Sequence, residues 1–218
     1  FIKDGRAYSL PMQDPQAYVD FDTARKACES KGKGWHLMTN AEWAAIALWC
    51  KKNGYFPRGN NSFGKDHAYP HEHGVETYNY NGQTGRVGTG SGPTTWAHDG
   101  TNSGIYDLNG NVWEWCGGLR LVDGEIQVIA DNNAADMSTS STLWKAISKT
   151  GALVAPGSAN TLKLDYTTAP GTSGAKGVAK LVTTLSNKQT VEDPYSAGEF
   201  ENMTVDSNIT VPEIMKAL

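Results

Sequence analysis

The sequence predicts an α+β protein in which two helices pack on small antiparallel sheets with long loops. Two helical patterns appear in the first quarter of the chain, while turn-linked apolar segments at 2–10 and 119–130 indicate antiparallel strand pairs. The 24 Gly, 7 Trp and 9 Tyr residues are typical of loop-rich structure anchored by aromatic side chains rather than of a helical bundle. At 218 residues the chain is long enough for a substantial core. We expect a single domain over 1–218.

The first helix is predicted from Phe21 to Lys31, with either Asp20 or Asp22 as its N-cap. Its apolar side chains recur at helical spacing, which gives it one face for the core.

A capping box predicts the start of the second helix. Thr39 has the hydroxyl of an N-cap and Glu42 stands three residues on, so each side chain can bond the other residue's backbone N–H. The helix is then expected to run to Gly54.

The rest of the chain is predicted as short elements between loops. Residues 60–104 lack periodicity and are expected to form a long surface excursion. Asp123-Gly124 is a hairpin turn, 140–149 indicates a short helix, and pieces at 162–166 and 178–185 indicate small strands. A final helix is expected to begin at Pro212 and to be cut off at Leu218, which favours a truncated chain.

Charge and hydropathy exclude some partners. The formal net charge is -4, which favours neither nucleic acid nor an anionic membrane surface. No apolar run approaches the ~20 residues that a membrane span needs. We therefore expect no nucleic-acid partner and no membrane insertion.

Cysteines and histidines give no clear metal pattern. The spacing of His67, His71 and His73 fits no zinc pattern, and solvated loop histidines are the simpler interpretation. Three cysteines stand at positions 28, 50 and 116, an odd number that favours buried thiols over a disulfide framework. Cys28 and Cys50 lie on the two predicted helices and would meet only if those helices pack.

The segment from Gly104 to Trp115 carries the most chemical information. Asp107 and Glu114 flank a turn at Asn109-Gly110-Asn111, and two carboxylates held together repel unless a cation or donors separate them. Backbone carbonyls of the turn could complete the oxygen cage that calcium prefers. A hairpin with two solvated acids is the alternative.

Three tryptophans of this region are expected to be buried or stacked. If the segment after the turn is a strand, Trp113 and Trp115 share one face, opposite Glu114. Two indoles on one face require a deep core or a stacking partner. Trp96, just upstream, is expected to be buried.

The same segment resembles the G-L-x-D-M-x-G-N-V-W-E-W signature of the formylglycine-generating enzyme (sulfatase-modifying factor) family. Residues 35–43 resemble the family's R-L-P-T-E-A-E-W-E segment, and residues 55–60 its Y-P-W-G-N segment. The resemblance implies the family's variant of the C-type lectin fold. It also implies a structural calcium site with Asp107 and Glu114 as side-chain ligands and Gly110 and Val112 as backbone ligands.

Oxidase chemistry is not expected, so we predict that the chain is not an enzyme. In the family this activity depends on a cysteine pair near a C-terminal G-F-R motif, and this sequence has neither a cysteine beyond Cys116 nor that motif. The alternative is a formylglycine-generating-type oxidase whose C-terminal catalytic cysteines are missing.

Non-catalytic relatives give a better match. The chain resembles the variable proteins diversified by retroelements in bacteria and phages, including tail-tip receptor-binding proteins, and we expect that its C-terminal variable segment is missing. This resemblance implies a binding surface for a host or bacterial cell-surface protein or glycan, and a location in the virion (phage tail) or on the bacterial cell surface. A homotrimer is compatible with this class. A purely structural tail component is a further alternative.

Overall fold

The computed structural model describes residues 1–168, 178–186 and 203–210. Helices and strands are both present, so the α+β prediction is confirmed. The chain divides into two compact units, residues 1–117 and 118–218, and each is described by itself. Within the described ranges, no helix is long and apolar enough to cross a membrane.

The first unit holds two α-helices and two small hairpins. Its 3-10 turn ends at Trp96, which has no exposed surface, as predicted, and which lies with Val87 and Ala97 at the centre of the unit. The elements are β1 (Ile2–Lys3), β2 (Arg6–Ala7), α1 (Phe21–Glu29), α2 (Asn40–Asn53), β3 (Glu76–Tyr80), β4 (Gln83–Val87) and the 3-10 turn Thr94–Trp96.

Both helices begin where the sequence predicts. Asp20 caps α1 by accepting the N–H of Thr23, and α1 lies against β2. The capping box of α2 is complete, because Glu42 N–H donates to Thr39 Oγ1 and Thr39 N–H donates to Glu42 Oε2. Gly54 ends α2 in the left-handed conformation that favours glycine.

The β3–β4 hairpin was not predicted, because residues 60–104 were expected to be a surface excursion. Its turn is Asn81-Gly82, and both residues have positive φ angles of 50° and 82°. Asn-Gly is the strongest short-range hairpin signal in a sequence, so the local information was present. The excursion is therefore organised around a two-stranded sheet.

The second unit is built on one sheet of seven strands among the described residues. The order is β11-β10-β9-β6-β7-β8, with β5 also paired to β6, and all described pairs are antiparallel except β10 with β11. The strands are β5 (Leu119–Val122), β6 (Glu125–Ile129), β7 (Trp144–Ile147), β8 (Leu153–Val154), β9 (Lys163–Thr168), β10 (Val178–Val182) and β11 (Thr204–Val205).

The hairpin around Asp123-Gly124 is confirmed, with Val122 paired to Glu125. The helix predicted over 140–149 is wrong, because residues 144–147 form β7. Trp144 and Ala146 are buried on one face of that strand, so the period is two and not 3.6. The helix predicted from Pro212 lies outside the described residues.

Candidate functional site

The Gly104–Trp115 segment runs without a helix or strand. The strand considered for the residues after the turn does not form, and the turn at Asn109–Asn111 does not close a hairpin. Gly110 instead forms an isolated parallel bridge with Asn60, and Asn111 N–H donates to Asn60 O at 2.8 Å. The turn is thus joined to a distant stretch of the chain.

Side chains of the turn strengthen this junction. Asn109 Nδ2 donates to Pro57 O at 3.1 Å, and Asn60 Nδ2 donates to Asn111 Oδ1 at 3.2 Å. Asn111 Oδ1 also accepts the N–H of Val87, while Asn111 Nδ2 donates to Val87 O. Two of the three segments that resemble the family, 55–60 and 104–115, are therefore in direct contact.

Two glycines allow the close approach. A Cβ on Gly59 would lie 1.7 Å from Asn109 O, and a Cβ on Gly110 would lie 2.2 Å from Asn60 O. Gly110 also has a φ of 80°, and Asn111 follows with a φ of 64°. The conformation needs glycine at both contacts, since any side chain would displace backbone.

All four predicted calcium ligands line one cavity of about 490 Å³: Asp107, Gly110, Val112 and Glu114. Asp107, at a positive φ of 61°, accepts the N–H of Gly90 at 2.8 Å through Oδ2. Gly110 O accepts the N–H of Val112 at 2.9 Å, which leaves this carbonyl a second lone pair. The four residues predicted to supply the donors thus lie around one cavity.

The two carboxyl groups lie where ionisation is costly. Burial raises the pKa of Asp107, against a smaller opposing effect of the Gly90 N–H. Burial also raises the pKa of Glu114, and the negative charge of Asp107 raises it further. Glu114 is exposed to solvent over part of its side chain and also lines the cavity.

This donor set fits a hard divalent cation. Two carboxylates and carbonyl oxygens are the ligands that calcium takes, and the cation would offset the repulsion between Asp107 and Glu114. In the described ranges no three His, Cys, Asp or Glu side chains cluster in a way that could hold a metal. Backbone oxygens or water would therefore have to complete the coordination.

The tryptophans of the segment do not root it in the interior, so that expectation is wrong for Trp113, which is fully exposed. Trp115 is half exposed but does have a stacking partner, since its ring meets Phe21 edge-on with centroids 5.9 Å apart. Its Nε1 donates to Val19 O at 2.8 Å. Because the backbone here is irregular, the alternation assumed for a strand does not apply.

An aromatic cavity was missed by the sequence reasoning. It measures about 710 Å³, and six of its lining residues define it: Tyr18, Tyr78, Tyr80, Arg86, Trp113 and Trp115. The signal was present as two pairs of aromatic residues spaced by two, at 78 and 80 and at 113 and 115. What the sequence could not indicate was that the β3–β4 hairpin and the 104–115 segment face the same space.

The cysteines remain free thiols. Cys50 is buried, with its Sγ 3.6 Å from His98 O, and does not bond Cys28. Cys28 and Cys116 line a common cavity of about 330 Å³. Burial raises the pKa of both thiols, with a smaller opposing effect of Lys31 at Cys28 and an added effect of Glu114 at Cys116.

The three loop histidines do not converge on a metal-ligand cluster in the described part of the chain. The His67 N–H donates to Asn61 Oδ1 at 2.8 Å, and the His71 ring meets Tyr69 edge-on. His73 forms a bridge with Lys65. These histidines are part of the loop that carries the 55–60 segment.

The sequence profile of the sulfatase-modifying factor enzyme 1-like domain matches residues 3–169. The chain belongs to this family. The match includes both segments that form the junction at Asn60 and Gly110, and it extends well beyond the resemblance seen in the first half of the sequence. The family contains enzymes and related modules. A comparison with curated proteins returned no match.

Proposed function

We propose that this member of the sulfatase-modifying factor family is a non-catalytic ligand-binding module. One observation carries the proposal: Trp113, from the family signature, is fully exposed at an aromatic cavity instead of packing in a core. Concave sites lined by aromatic side chains with a few polar groups are typical of ligand binding. The scaffold would be the family's lectin-type variant, carrying its binding surface on loops.

The thiols support a non-catalytic role. Reactive cysteines have lowered pKa values and sit in electropositive, accessible surroundings. Here burial raises the pKa of Cys28 and of Cys116, so both favour the neutral thiol at pH 7. Soft-metal oxidase chemistry needs thiolates.

Calcium would have a structural role in this module. Asp107 and Glu114 would supply side-chain oxygens, with Gly110 and Val112 as backbone donors, and the bound ion would hold the 104–115 segment in place. Because Glu114 and Val112 line both cavities, the ion would also fix one wall of the aromatic cavity.

The biological setting that we propose is recognition of a bacterial or host cell surface, with the protein as part of a phage or prophage tail tip and trimerisation as one means of display. The adaptable loop-borne surface is the supporting feature, since Tyr and Trp give large contact areas at low entropic cost.

Two measurements test the proposal. Wild-type protein should bind whole cells from a panel of bacterial strains, and Trp113→Ala should lose that binding without a lower melting temperature. Calorimetric titration should show calcium binding by wild type and its loss in Asp107→Asn. Asp4→Asn, an exposed acid in the turn between β1 and β2, should titrate like wild type.

Three results would contradict the proposal. Equal cell binding by wild type and Trp113→Ala would remove the assigned surface. Absence of any calcium heat would remove the metal site. Oxidation of a cysteine-containing peptide by the full-length chain would show that it is an oxidase.

A further inference from the structure

The aromatic cavity combines features that together restrict the chemistry of its ligand. Three of its rings are open to water: Tyr18 is 97% exposed, Tyr80 is 62% exposed and Trp113 is fully exposed. Tyr18 also has a positive φ of 55°, which is unusual for a bulky residue. This backbone conformation presents the Tyr18 ring to solvent at the edge of the cavity.

The cavity offers no free positive charge in the described chain. Arg86 donates to both oxygens of Asp14, at 3.0 Å from Nε and 2.7 Å from Nη2, and its guanidinium covers the Tyr78 ring at 4.1 Å. The Arg86 side chain is only 14% exposed. A phosphate, sulfate or nucleic acid would therefore find no available cation here.

The other charged residue that lines the cavity is Glu114. Under the proposed function its carboxylate is a calcium ligand together with that of Asp107. With the ion bound, the wall of the cavity is close to neutral. A cationic ligand such as a quaternary ammonium would then gain little from the carboxylates, and although ring faces attract it, it has no group to pair with the tyrosine hydroxyls.

Polar groups of the same cavity lack partners. Within the described residues, the hydroxyl groups of Tyr18, Tyr78 and Tyr80 make no hydrogen bond to the protein, and neither does Trp113 Nε1, so these groups are free to pair with water or with a ligand. A purely apolar segment of a partner protein would bury these groups unpaired, at a cost of about 1–3 kcal/mol each. The ligand must therefore present hydroxyl or similar groups as well as apolar surface.

We propose that the aromatic cavity binds a neutral saccharide. One face of a pyranose ring presents C–H groups, which the negatively polarised faces of Trp113 and Tyr80 attract, and its hydroxyl groups pair with the tyrosine hydroxyls. A volume of about 710 Å³ lies within the range of ordinary small-ligand sites. This inference rests on the proposed binding function and names the chemistry of its ligand.

The test uses the full chain with calcium present and hexasaccharides of glucose, mannose, galactose and N-acetylglucosamine as probes. Binding is measured by calorimetry and by tryptophan fluorescence. At least one hexasaccharide should bind, and Trp113→Ala and Tyr80→Ala should each weaken that binding tenfold or more. Trp113→Phe, which keeps a ring face, should retain most of it.

The matched control is Trp35→Ala, because Trp35 is an exposed tryptophan of the same unit that lies outside the cavity. It should leave saccharide affinity unchanged. Equal losses in Trp35→Ala and Trp113→Ala would overturn the assignment to this cavity.

The outcomes separate this inference from the proposed function. If wild type binds bacterial cells through Trp113 but binds no hexasaccharide, the saccharide inference is wrong and the binding module stands. If it binds neither, both are wrong. If a proline-rich peptide binds in a Trp113-dependent way and no saccharide does, the cavity is a peptide site and the inference is overturned.

Discussion

Asn111 and Val87 exchange two hydrogen bonds across 24 residues of sequence. Asn111 Oδ1 accepts the Val87 N–H at 3.0 Å, and Asn111 Nδ2 donates to Val87 O at 3.0 Å. Val87 is fully buried at the end of β4. The Asn111 amide thus pairs with the N–H and C=O of Val87 as a neighbouring strand would, where the backbone has little access to water.

Replacing Asn111 should destabilise the first unit. Asn111→Gly keeps the positive φ but removes the side-chain bonds to Val87, at an expected cost of about 2–4 kcal/mol, because unsatisfied buried polar groups cost about 1–3 kcal/mol each. Chemical unfolding measures this loss. Asn81→Gly is the control, since Asn81 has a positive φ of 50° in an exposed turn and should change stability by less than about 1 kcal/mol. Equal effects of the two changes would contradict the role given to Asn111.

Gly110 should tolerate no side chain. Gly110→Ala and Gly82→Ala both place Ala at nearly the same φ, 80° and 82°, but only the first puts a Cβ against Asn60 O. The left-handed conformation alone costs about 1–2 kcal/mol. Crowding of backbone should add about 1–3 kcal/mol at Gly110. Thermal unfolding of the two variants should therefore differ, and matching melting temperatures would show that the bridge between Gly110 and Asn60 is not required.

Calcium-free protein should lose stability as the pH rises from about 4 towards neutrality. The raised pKa values of Asp107 and Glu114 mean that the folded chain binds protons more tightly than the unfolded chain. Stability therefore falls through the range between the unfolded and folded pKa values, and the loss is complete above the folded ones. Melting temperatures measured with a chelator across pH 4–7 test this.

Neutral substitutions should reverse that loss. Asp107→Asn and Glu114→Gln should each raise the melting temperature of calcium-free protein at pH 7, and should remove the stabilisation that calcium gives to wild type. Asp4→Asn should do neither. If both cavity variants were less stable than wild type with a chelator at pH 7, the two carboxylates would not destabilise the calcium-free protein.

Glu125 should make the second unit sensitive to acid. Burial alone would raise its pKa, but bonds from Thr161 Oγ1, Gln127 Nε2 and Gly157 N–H, together with the charge of Lys163, hold it below the usual value. Because the folded pKa is lowered, this stabilisation is present above about pH 4.3 and is lost as the pH falls.

Glu125→Gln should therefore lower stability at pH 7 and weaken its decline in acid. Asp123→Asn, an exposed acid in the turn between β5 and β6, is the control and should change neither. A Glu125→Gln variant with the acid sensitivity of wild type would place that sensitivity elsewhere.

Local chemistry determined much of this protein. Thr39 with Glu42, Asp20 and Asp123-Gly124 each specify their element through bonds within a few residues, so the sequence alone predicts them. The resemblance of residues 104–115 to the family signature is likewise visible in the sequence alone. It predicts four ligand residues, and the structure places all four around one cavity.

Only the tertiary structure decided how distant segments meet. Trp144 belongs to a strand because β6 pairs with it and β8 pairs with the later residues of the same strand, although the local sequence favours a helix. Trp113 faces water because Gly110 docks on Asn60 and the backbone beyond it does not alternate like a strand. The aromatic cavity exists because the β3–β4 hairpin returns beside residues 111–115. Contacts between residues far apart in the chain leave no periodic pattern, and their geometry follows from packing.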